Sequence, residues 1–342
     1  MDVALFDYEL PAERIAQCPA EPRDASRLLV LDRPTGRWDD RVFADLPGLL
    51  RAGDCLVVND SRVIPARLLG RLEGGRAVEL LFLKEVGGGR WEVLARPARR
   101  CRVGTVILFD EARGRVVEAG EAGRRVVELA PAESARGFLE RFGVPPLPPY
   151  IRHYRKAGME DRERYQTVYA RRDGSLAAPT AGLHFTPSLL AELKARGIEI
   201  HSLTLHLGPG SFRPIRAARL EEHSMPPEEA VLTEEVAVSL NCAKSDGRRL
   251  VAVGTSVVRA LESASDAAGR LGPVSGAADL FITPGYGFRV VDALLTNFHL
   301  PRSTHLLLVS AFAGRERILA AYRHAVEAGY RFYSYGDAML IA

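Results

Sequence analysis

Four short segments of the chain carry side chains able to move protons. His184 stands in Pro179-Thr-Ala-Gly-Leu-His-Phe185, after an expected strand at Leu176–Ala178. Proline and glycine there make a rigid bend that can present an imidazole, whose near-neutral pKa suits general acid or base work. The plainer reading is a histidine that hydrogen-bonds backbone at the bend. His299 closes Thr296-Asn297-Phe298-His299 against Leu300-Pro301 and is a second candidate proton shuttle, or else a satisfied core histidine. Asp60, in Asn59-Asp60-Ser61-Arg62, is a catalytic base or a turn carboxylate. Asp337, in Tyr335-Gly336-Asp337, is a base or a helix cap, with the cap preferred. His305, at the start of an apolar helix, reads as structural.

Other segments suit binding. His206-Leu-Gly208-Pro-Gly210 ends an expected strand, Ile198–Leu207, and its glycines permit close backbone approach or positive φ. Phe212 and Arg213 follow, so the third glycine of a dinucleotide fingerprint is missing. Arg213 has the planar fork that takes a carboxylate or phosphate bidentately. Gly254-Thr255-Ser256 lies between a strand and a helix, where N–H groups of a helix N-terminus receive ligands, or where a hydroxyl simply caps the helix. Arg259 and Glu262 fall about one turn apart on that helix, as a site pair or a surface ion pair. Asn297 can read a base edge or a ribose hydroxyl.

The elements that must hold these residues change character twice along the chain. Residues 1–60 begin as α/β, with strands expected at Leu28–Leu31 and Leu56–Asn59. In residues 61–149, short β-rich runs (Ala66–Leu72, Val78–Val86, Trp91–Ala95, Val106–Phe109, Val116–Ala119, Val126–Leu129) alternate with glycine-rich turns. That rhythm predicts antiparallel hairpins closing into a small barrel or sandwich. Pro145-Pro-Leu-Pro-Pro149 is a stiff boundary. From Tyr150 onward helices and strands alternate. Helices are expected at Leu189–Arg196, Glu228–Asn241, Val257–Ala267, Ser303–Ala313 and Arg315–Ala328. Strands are expected at Leu250–Val253, Leu280–Thr283 and Ala293–Asn297. The expected fold is α/β: a layered, mostly parallel sheet domain made of residues 1–60 plus 150–342, with a small antiparallel β-barrel, residues 61–149, inserted in it.

The totals exclude several classes. Hydrophobic residues make up 47% and charged residues 26%, a globular balance rather than a disordered one. The first ten residues lack the pattern of a signal peptide, and no run approaches the ~20 apolar residues of a membrane helix. The scattered cysteines Cys18, Cys55, Cys101 and Cys242 form no zinc spacing and read as reduced thiols, so a cytoplasmic protein with no metal is expected. Net charge is only +3, but residues 150–172 carry seven Arg or Lys against three Asp or Glu, with Tyr150, Tyr154, Tyr165 and Tyr169 interleaved. Such a stretch is a solvated face or an RNA-backbone surface. Residues 51–115 are also basic, thirteen against eight.

Nine segments occur together in order: N-D-S-R-V-I-P-A-R-L (59–68), Y-Q-T-V-Y-A (165–170), A-P-T-A-G-L-H-F-T (178–186), H-L-G-P-G-S-F-R-P-I (206–215), G-T-S-V-V-R-A-L-E-S (254–263), D-L-F-I-T-P-G-Y (279–286), L-L-T-N-F-H-L-P-R-S-T (294–304), S-A-F-A-G (310–314) and Y-R-F-Y-S-Y-G-D-A-M-L-I (330–341). In this the chain closely resembles the S-adenosylmethionine:tRNA ribosyltransferase-isomerase family of queuosine biosynthesis, from about Asp7 to Ile341. It departs from the family pattern at Ser211, where Thr is usual, and at Val257, where Ser is usual. The resemblance implies transfer and isomerisation of the ribosyl part of S-adenosylmethionine onto the 7-aminomethyl-7-deazaguanine base of a tRNA anticodon loop, with adenine and methionine released. It implies S-adenosylmethionine as co-substrate and tRNA as partner; a monomer is expected because the tRNA itself supplies a large partner surface. On this reading His184, His299, Asp60 and Asp337 are the proton-transfer candidates. The co-substrate is expected at Thr180, Gly182, His206, Gly208, Gly210, Arg213, Gly254, Thr255, Ser256, Arg259 and Asn297. The tRNA is expected at Asn59, Arg62, Arg67, Arg152, Tyr154, Arg155, Arg164, Tyr165 and Tyr169. The rival readings are an S-adenosylmethionine-dependent RNA methyltransferase, which would need a glycine-rich loop where Leu28–Leu31 is followed by Asp-Arg-Pro-Thr-Gly, and a non-catalytic RNA-binding protein.

Overall fold

The computed structural model of the 342-residue chain describes all residues except 131–134, 149, 152–158, 209 and 211–214, and excepting also the side chains of 135, 159 and 160. Arg152, Tyr154, Arg155 and Arg213 therefore lie outside the described residues. In chain order the strands are β1 (Arg27–Leu31), β2 (Trp38–Val42), β3 (Cys55–Asn59), β4 (Ser61–Val63), β5 (Arg67–Leu72), β6 (Ala77–Gly87), β7 (Arg90–Arg96), β8 (Val106–Leu108), β9 (Arg113–Ala119), β10 (Arg124–Ala130), β11 (Arg172–Ser175), β12 (Glu199–His206), β13 (Glu228–Leu232), β14 (Leu250–Val253), β15 (Val274–Ala278), β16 (Ala293–Asn297) and β17 (Ala338–Ile341). The chain separates into two compact units, one of Met1–Arg62, Pro149–His153 and Gln166–Ala342, the other of Val63–Pro148 and Tyr154–Tyr165.

The larger unit is built on a nine-stranded sheet ordered β15-β13-β12-β3-β14-β16-β17-β1-β2. Its central strands are apolar throughout because both faces are covered. In β3, Cys55 and Val57 join the core on one face while Leu56 and Val58 join the core on the other. β14 and β17 divide their side chains in the same alternating way. The first face is packed by the helices Glu234–Ser245, Thr255–Ser263, Thr304–Ala313 and Arg315–Glu327, through residues such as Leu240, Leu261, Leu307 and Ile318. The second is packed by Phe43, Leu46, Phe185, Leu189 and Leu193. The edge strand β2, Trp-Asp-Asp-Arg-Val, is exposed along its length, and its charges discourage pairing with a further strand.

The sheet is mixed rather than mostly parallel. Pairs β12–β3, β3–β14, β14–β16 and β17–β1 are parallel, but β15–β13, β13–β12, β16–β17 and β1–β2 are antiparallel. Three local expectations change with it. Glu228–Leu232 is a strand, because Ala230 and Leu232 alternate into the core between β12 and β15, and the helix begins only after the Thr233 cap. Leu280–Thr283 is not a strand; the adjacent Val274–Ala278 is. Leu176–Ala178 is irregular, between β11 and a 3₁₀ turn at Thr180–His184.

The smaller unit is a closed barrel, β10-β7-β6-β5-β8-β9. Closure pairs every edge. Its interior is filled by Leu68, Leu80, Phe82, Val93, Ile107, Val116 and Val127. Gly70 and Gly114 occur where a Cβ would meet Ile107 at 2.6 Å or Val127 at 2.8 Å, so close strand packing requires glycine there. The helix Met159–Arg164 belongs to this unit: Arg162 donates to the carbonyls of Glu140 and Gly143.

Candidate functional site

A cleft enclosing about 740 Å³, partly open to solvent, lies in the larger unit, where β14 and β16 end. Ligands of open α/β sheets sit at such carboxyl ends. β14 runs into Gly254, whose φ of +93° admits no side chain without strain. The following helix starts there with no side-chain cap, and its first turn, Thr255 and Ser256, lines the cleft with N–H donors that have no partner among the described residues. β16 contributes Thr296 and Asn297. The segment after it adds Phe298, His299, Leu300, Ser303 and His305, while Thr180, Tyr150, Tyr333 and Ser334 complete the polar and aromatic wall. Among the described residues, none lining the cleft is an Asp, Glu, Lys or Arg.

His299 is held from several sides. Its backbone N–H donates to the Tyr322 hydroxyl at 3.1 Å, and its carbonyl accepts from the Tyr8 hydroxyl. Its Nε2 lies 2.9 Å from Thr296 Oγ1. Its Nδ1 has no protein partner among the described residues and is not sealed off, so that nitrogen opens to the cleft. The ring stacks on His305 at 5.1 Å between centroids. Burial and the neighbouring His305 push His299 well below the ordinary histidine pKa, and burial takes His305 down to about 4. Both rings are therefore neutral bases at neutral pH.

His184 takes a different place. It is buried behind the cleft wall, stacked on Phe43. Its Nδ1 is 2.7 Å from Ser26 Oγ and its Nε2 is 3.2 Å from Asn297 Nδ2. Asn297 in turn meets Thr180 Oγ1 at 2.9 Å and the Tyr333 carbonyl at 3.2 Å. Burial, with Arg331 and Arg23 nearby, takes His184 down to about 3. Tyr333 has φ +74°, a strained conformation for a bulky residue and one that concentrates at functional sites.

These histidines make the fold acid-sensitive. A histidine kept neutral by folding but free to protonate when unfolded stabilises the native state fully above its unfolded pKa, and that stability is lost as pH falls toward the folded value. For His184 the window runs from the ordinary histidine value of 6.5 down to about 3. Denaturant midpoints are expected to fall between pH 7.5 and pH 5, before most carboxylates titrate, and to fall less in His184→Leu. A wild-type midpoint flat over that range would contradict the burial of neutral imidazole.

The remaining sequence candidates scatter. Thr180, Gly254, Thr255, Ser256, Asn297 and His299 line the cleft together. Asp60 lines a separate cavity with Arg171, Arg172, Ser202, Thr204 and Thr233, and accepts from Thr204 Oγ1 at 2.6 Å. Asp337 caps no helix: its carboxylate receives the backbone N–H groups of Arg27 and Arg331 at 3.0 and 2.7 Å, just before β17. Arg259 pairs with Glu228 rather than with Glu262, and its remaining donors reach the carbonyls of Leu280 and Ala278. Glu262 is occupied by Tyr286 and by the N–H groups of Arg289, Val290 and Val291. Gly208 donates to Glu228, and Gly210 leaves room for the Pro226 ring. A Cβ on Gly182 would lie 2.1 Å from the Tyr169 hydroxyl, so that glycine serves packing. The His206 ring packs over Gly174, where a Cβ would come within 2.9 Å.

Two expected tRNA contacts are corrected. Asn59 is fully buried, its amide spent on Leu205, Ser61 and Ser256, so it supports the cleft wall from behind. Tyr165 is fully buried and offers no ring face to a base. Tyr169 is half-buried with its hydroxyl enclosed. Arg62 pairs with Asp173 and Arg67 with Glu79; Arg164 lies on the helix Met159–Arg164. Sequence reasoning missed Tyr150, Thr296, Ser303, His305, Tyr333 and Ser334 as cleft residues. Thr296 stood inside a quoted motif, and the tyrosine in Tyr150 was noted only as part of a basic stretch. The one described group with metal-ligand atoms close together, Cys55, Glu199 and His201, is bridged by Arg248, 2.8 Å from Glu199 and 3.3 Å from Cys55 Sγ. Among the described residues, no helix is long and apolar enough to cross a membrane.

Comparison with known proteins gives one answer. Residues 3–341 match the model of a family described as queuosine biosynthesis protein. The chain is 53% identical to the S-adenosylmethionine:tRNA ribosyltransferase-isomerase of Heliobacterium modesticaldum and 54% identical to that of Moorella thermoacetica, with 100% of each chain covered in both cases. It is similar to the crystal structure of S-adenosylmethionine tRNA ribosyltransferase from Thermotoga maritima, at 39% identity and a TM-score of 0.57, covering 99% of this chain and 100% of that one.

Proposed function

Since the chain belongs to the queuosine biosynthesis protein family, we propose that it transfers and isomerises the ribosyl part of S-adenosylmethionine onto the 7-aminomethyl-7-deazaguanine base of a tRNA, releasing adenine and methionine. The observation that carries this reading is full-length similarity joined to a cleft with an accessible neutral imidazole. The chemistry needs proton transfer and positioning. A carbon beside a sulfonium must lose a proton, the attacking amine must be neutral, and adenine leaves best when protonated. His299, through its open Nδ1, is the group in reach of such protons. The rings of Tyr150 and Tyr333 suit a sulfonium cation, which aromatic rings attract. The uncapped helix turn at Thr255 and Ser256 suits ribose hydroxyls. The sulfonium is itself an activated leaving group, so the reading requires no metal. It includes a cytoplasmic monomer whose basic stretch 150–172, with Arg152, Arg155 and Arg164, meets the RNA backbone.

Nothing supports the methyltransferase alternative: β1 is followed by the hairpin strand β2, not by a glycine-rich loop and helix. The test is incubation with S-adenosylmethionine and tRNA bearing the aminomethyl base, followed by mass analysis. Equal release of adenine and methionine, with a ribosyl-derived mass gain on the tRNA, is expected. S-adenosylhomocysteine as the only small product would overturn the proposal.

A further inference from the structure

The hydrogen-bond directions behind the cleft are fixed by one carbonyl. Tyr333 O can only accept, and it lies 3.2 Å from Asn297 Nδ2, so the nitrogen side of that amide must face it. Asn297 Oδ1 then faces Thr180 Oγ1 at 2.9 Å and accepts from it. The same Nδ2 reaches His184 Nε2, which must be the bare nitrogen of the ring. The ring proton therefore sits on Nδ1 and is donated to Ser26 Oγ, 2.7 Å away. With the ring enclosed and stacked on Phe43, no other arrangement satisfies every group.

We infer that Ser26, His184 and Asn297 form a fixed relay whose output is Thr180, its hydroxyl proton held inward so that Oγ1 offers only lone pairs to the cleft and receives an N–H of the substrate's primary amine. This rests on the reading given under Proposed function, in which an amine attacks. A freely rotating hydroxyl would donate to the amine lone pair and quench the nucleophile. A hydroxyl with its proton pinned accepts an N–H instead, and turns the lone pair toward the electrophilic carbon. An α-ammonium on the co-substrate also donates N–H, but only the aminomethyl group of the tRNA base must be oriented for attack, so it is the amine assigned here, and the S-adenosylmethionine Kd separates the two. His184 is thus a positioning residue, acting through Asn297 and Thr180, and not a proton shuttle.

The test uses the full-length enzyme with S-adenosylmethionine and the aminomethyl-bearing tRNA, reading adenine release, tRNA KM and S-adenosylmethionine Kd. Gln places an acceptor oxygen near the position of imidazole Nε2, so His184→Gln is expected to keep turnover within about tenfold of wild type, while His184→Leu loses about a hundredfold or more. Thr180→Val is expected to lose ~10–100-fold in kcat with Kd for S-adenosylmethionine unchanged, and Thr180→Ser to restore it. Should the leucine variant fail to fold, as judged by its thermal melt, the glutamine, valine and serine variants carry the test. An active wild type with His184→Gln as slow as His184→Leu would overturn the relay in favour of proton transfer by the ring. Weakened S-adenosylmethionine binding in Thr180→Val, with normal tRNA kinetics, would move the amine to the co-substrate and overturn the assignment. A wild type that releases no adenine overturns the functional reading itself, and the inference with it.

Discussion

His299→Gln is expected to slow adenine release by about 10²–10⁴-fold, the usual contribution of a positioned acid or base. The substitution is chosen for its geometry. Glutamine can keep the contact that Nε2 makes with Thr296 Oγ1, and the backbone clamps from Tyr8 and Tyr322 do not involve the side chain. What it removes is Nδ1, the nitrogen that opens to the cleft. Binding of S-adenosylmethionine should stay within about threefold of wild type, because no proton moves in the ground state. Single-turnover adenine release and a calorimetric Kd measure the two quantities. A rate within a few-fold of wild type would remove His299 from the chemistry. The contrast with His184 is instructive: the same change to glutamine is expected to be severe at one histidine and mild at the other. In His184 the nitrogen that glutamine mimics, Nε2, is the one in use, whereas in His299 Nε2 only anchors the ring.

The second large effect is on stability. Glu228→Ala should cost about 3–5 kcal/mol, the penalty for leaving a buried charge without its partner. Arg259 and Glu228 are 7% and 4% exposed, so water cannot replace the lost carboxylate. Glu228 also accepts the Gly208 N–H at 2.9 Å, and that donor would be stranded as well. The pair ties three stretches together: the turn after β12, the helix Thr255–Ser263, and the segment around Ala278–Leu280 reached by the other Arg259 donors. Replacing both partners by Met should be far milder than the sum of the single changes, since no charge is then left buried. Urea unfolding of the two single variants and the double variant measures this. A single-variant loss below about 1 kcal/mol would mean that the site is wetter than its geometry indicates.

Much of the fold was legible along the chain. All six barrel strands fall on the six β-rich runs between Ala66 and Leu129, because alternating apolar residues and glycine turns are local signals. The helices Pro187–Ala195, Thr304–Ala313 and Arg315–Glu327 were equally local, each with its own cap or flanking glycine. The misreadings arose where pairing with distant strands decided the outcome. Glu228–Leu232 is a strand only because β12 and β15 flank it, and the final strand β17 exists only because β1 and β16 leave a place between them.

The same division holds for the site. Residue order alone determined the family, the motif segments, the alternation of elements, and the presence of His184, His299, Thr180, Gly254 and Asn297 as residues worth testing. Spacing along a chain cannot say which face of a bend a ring occupies or what stands behind it. Only tertiary packing decided that His184 lies behind Asn297, that Asp60 and Asp337 belong elsewhere, that Arg259 pairs with Glu228, and that Tyr150 and His305 come to the cleft. The reason is physical. A hydrogen-bond partner or a desolvating wall is supplied by residues far along the chain, as Asp337, 310 positions away, is for Arg27, and local sequence carries no record of that distance.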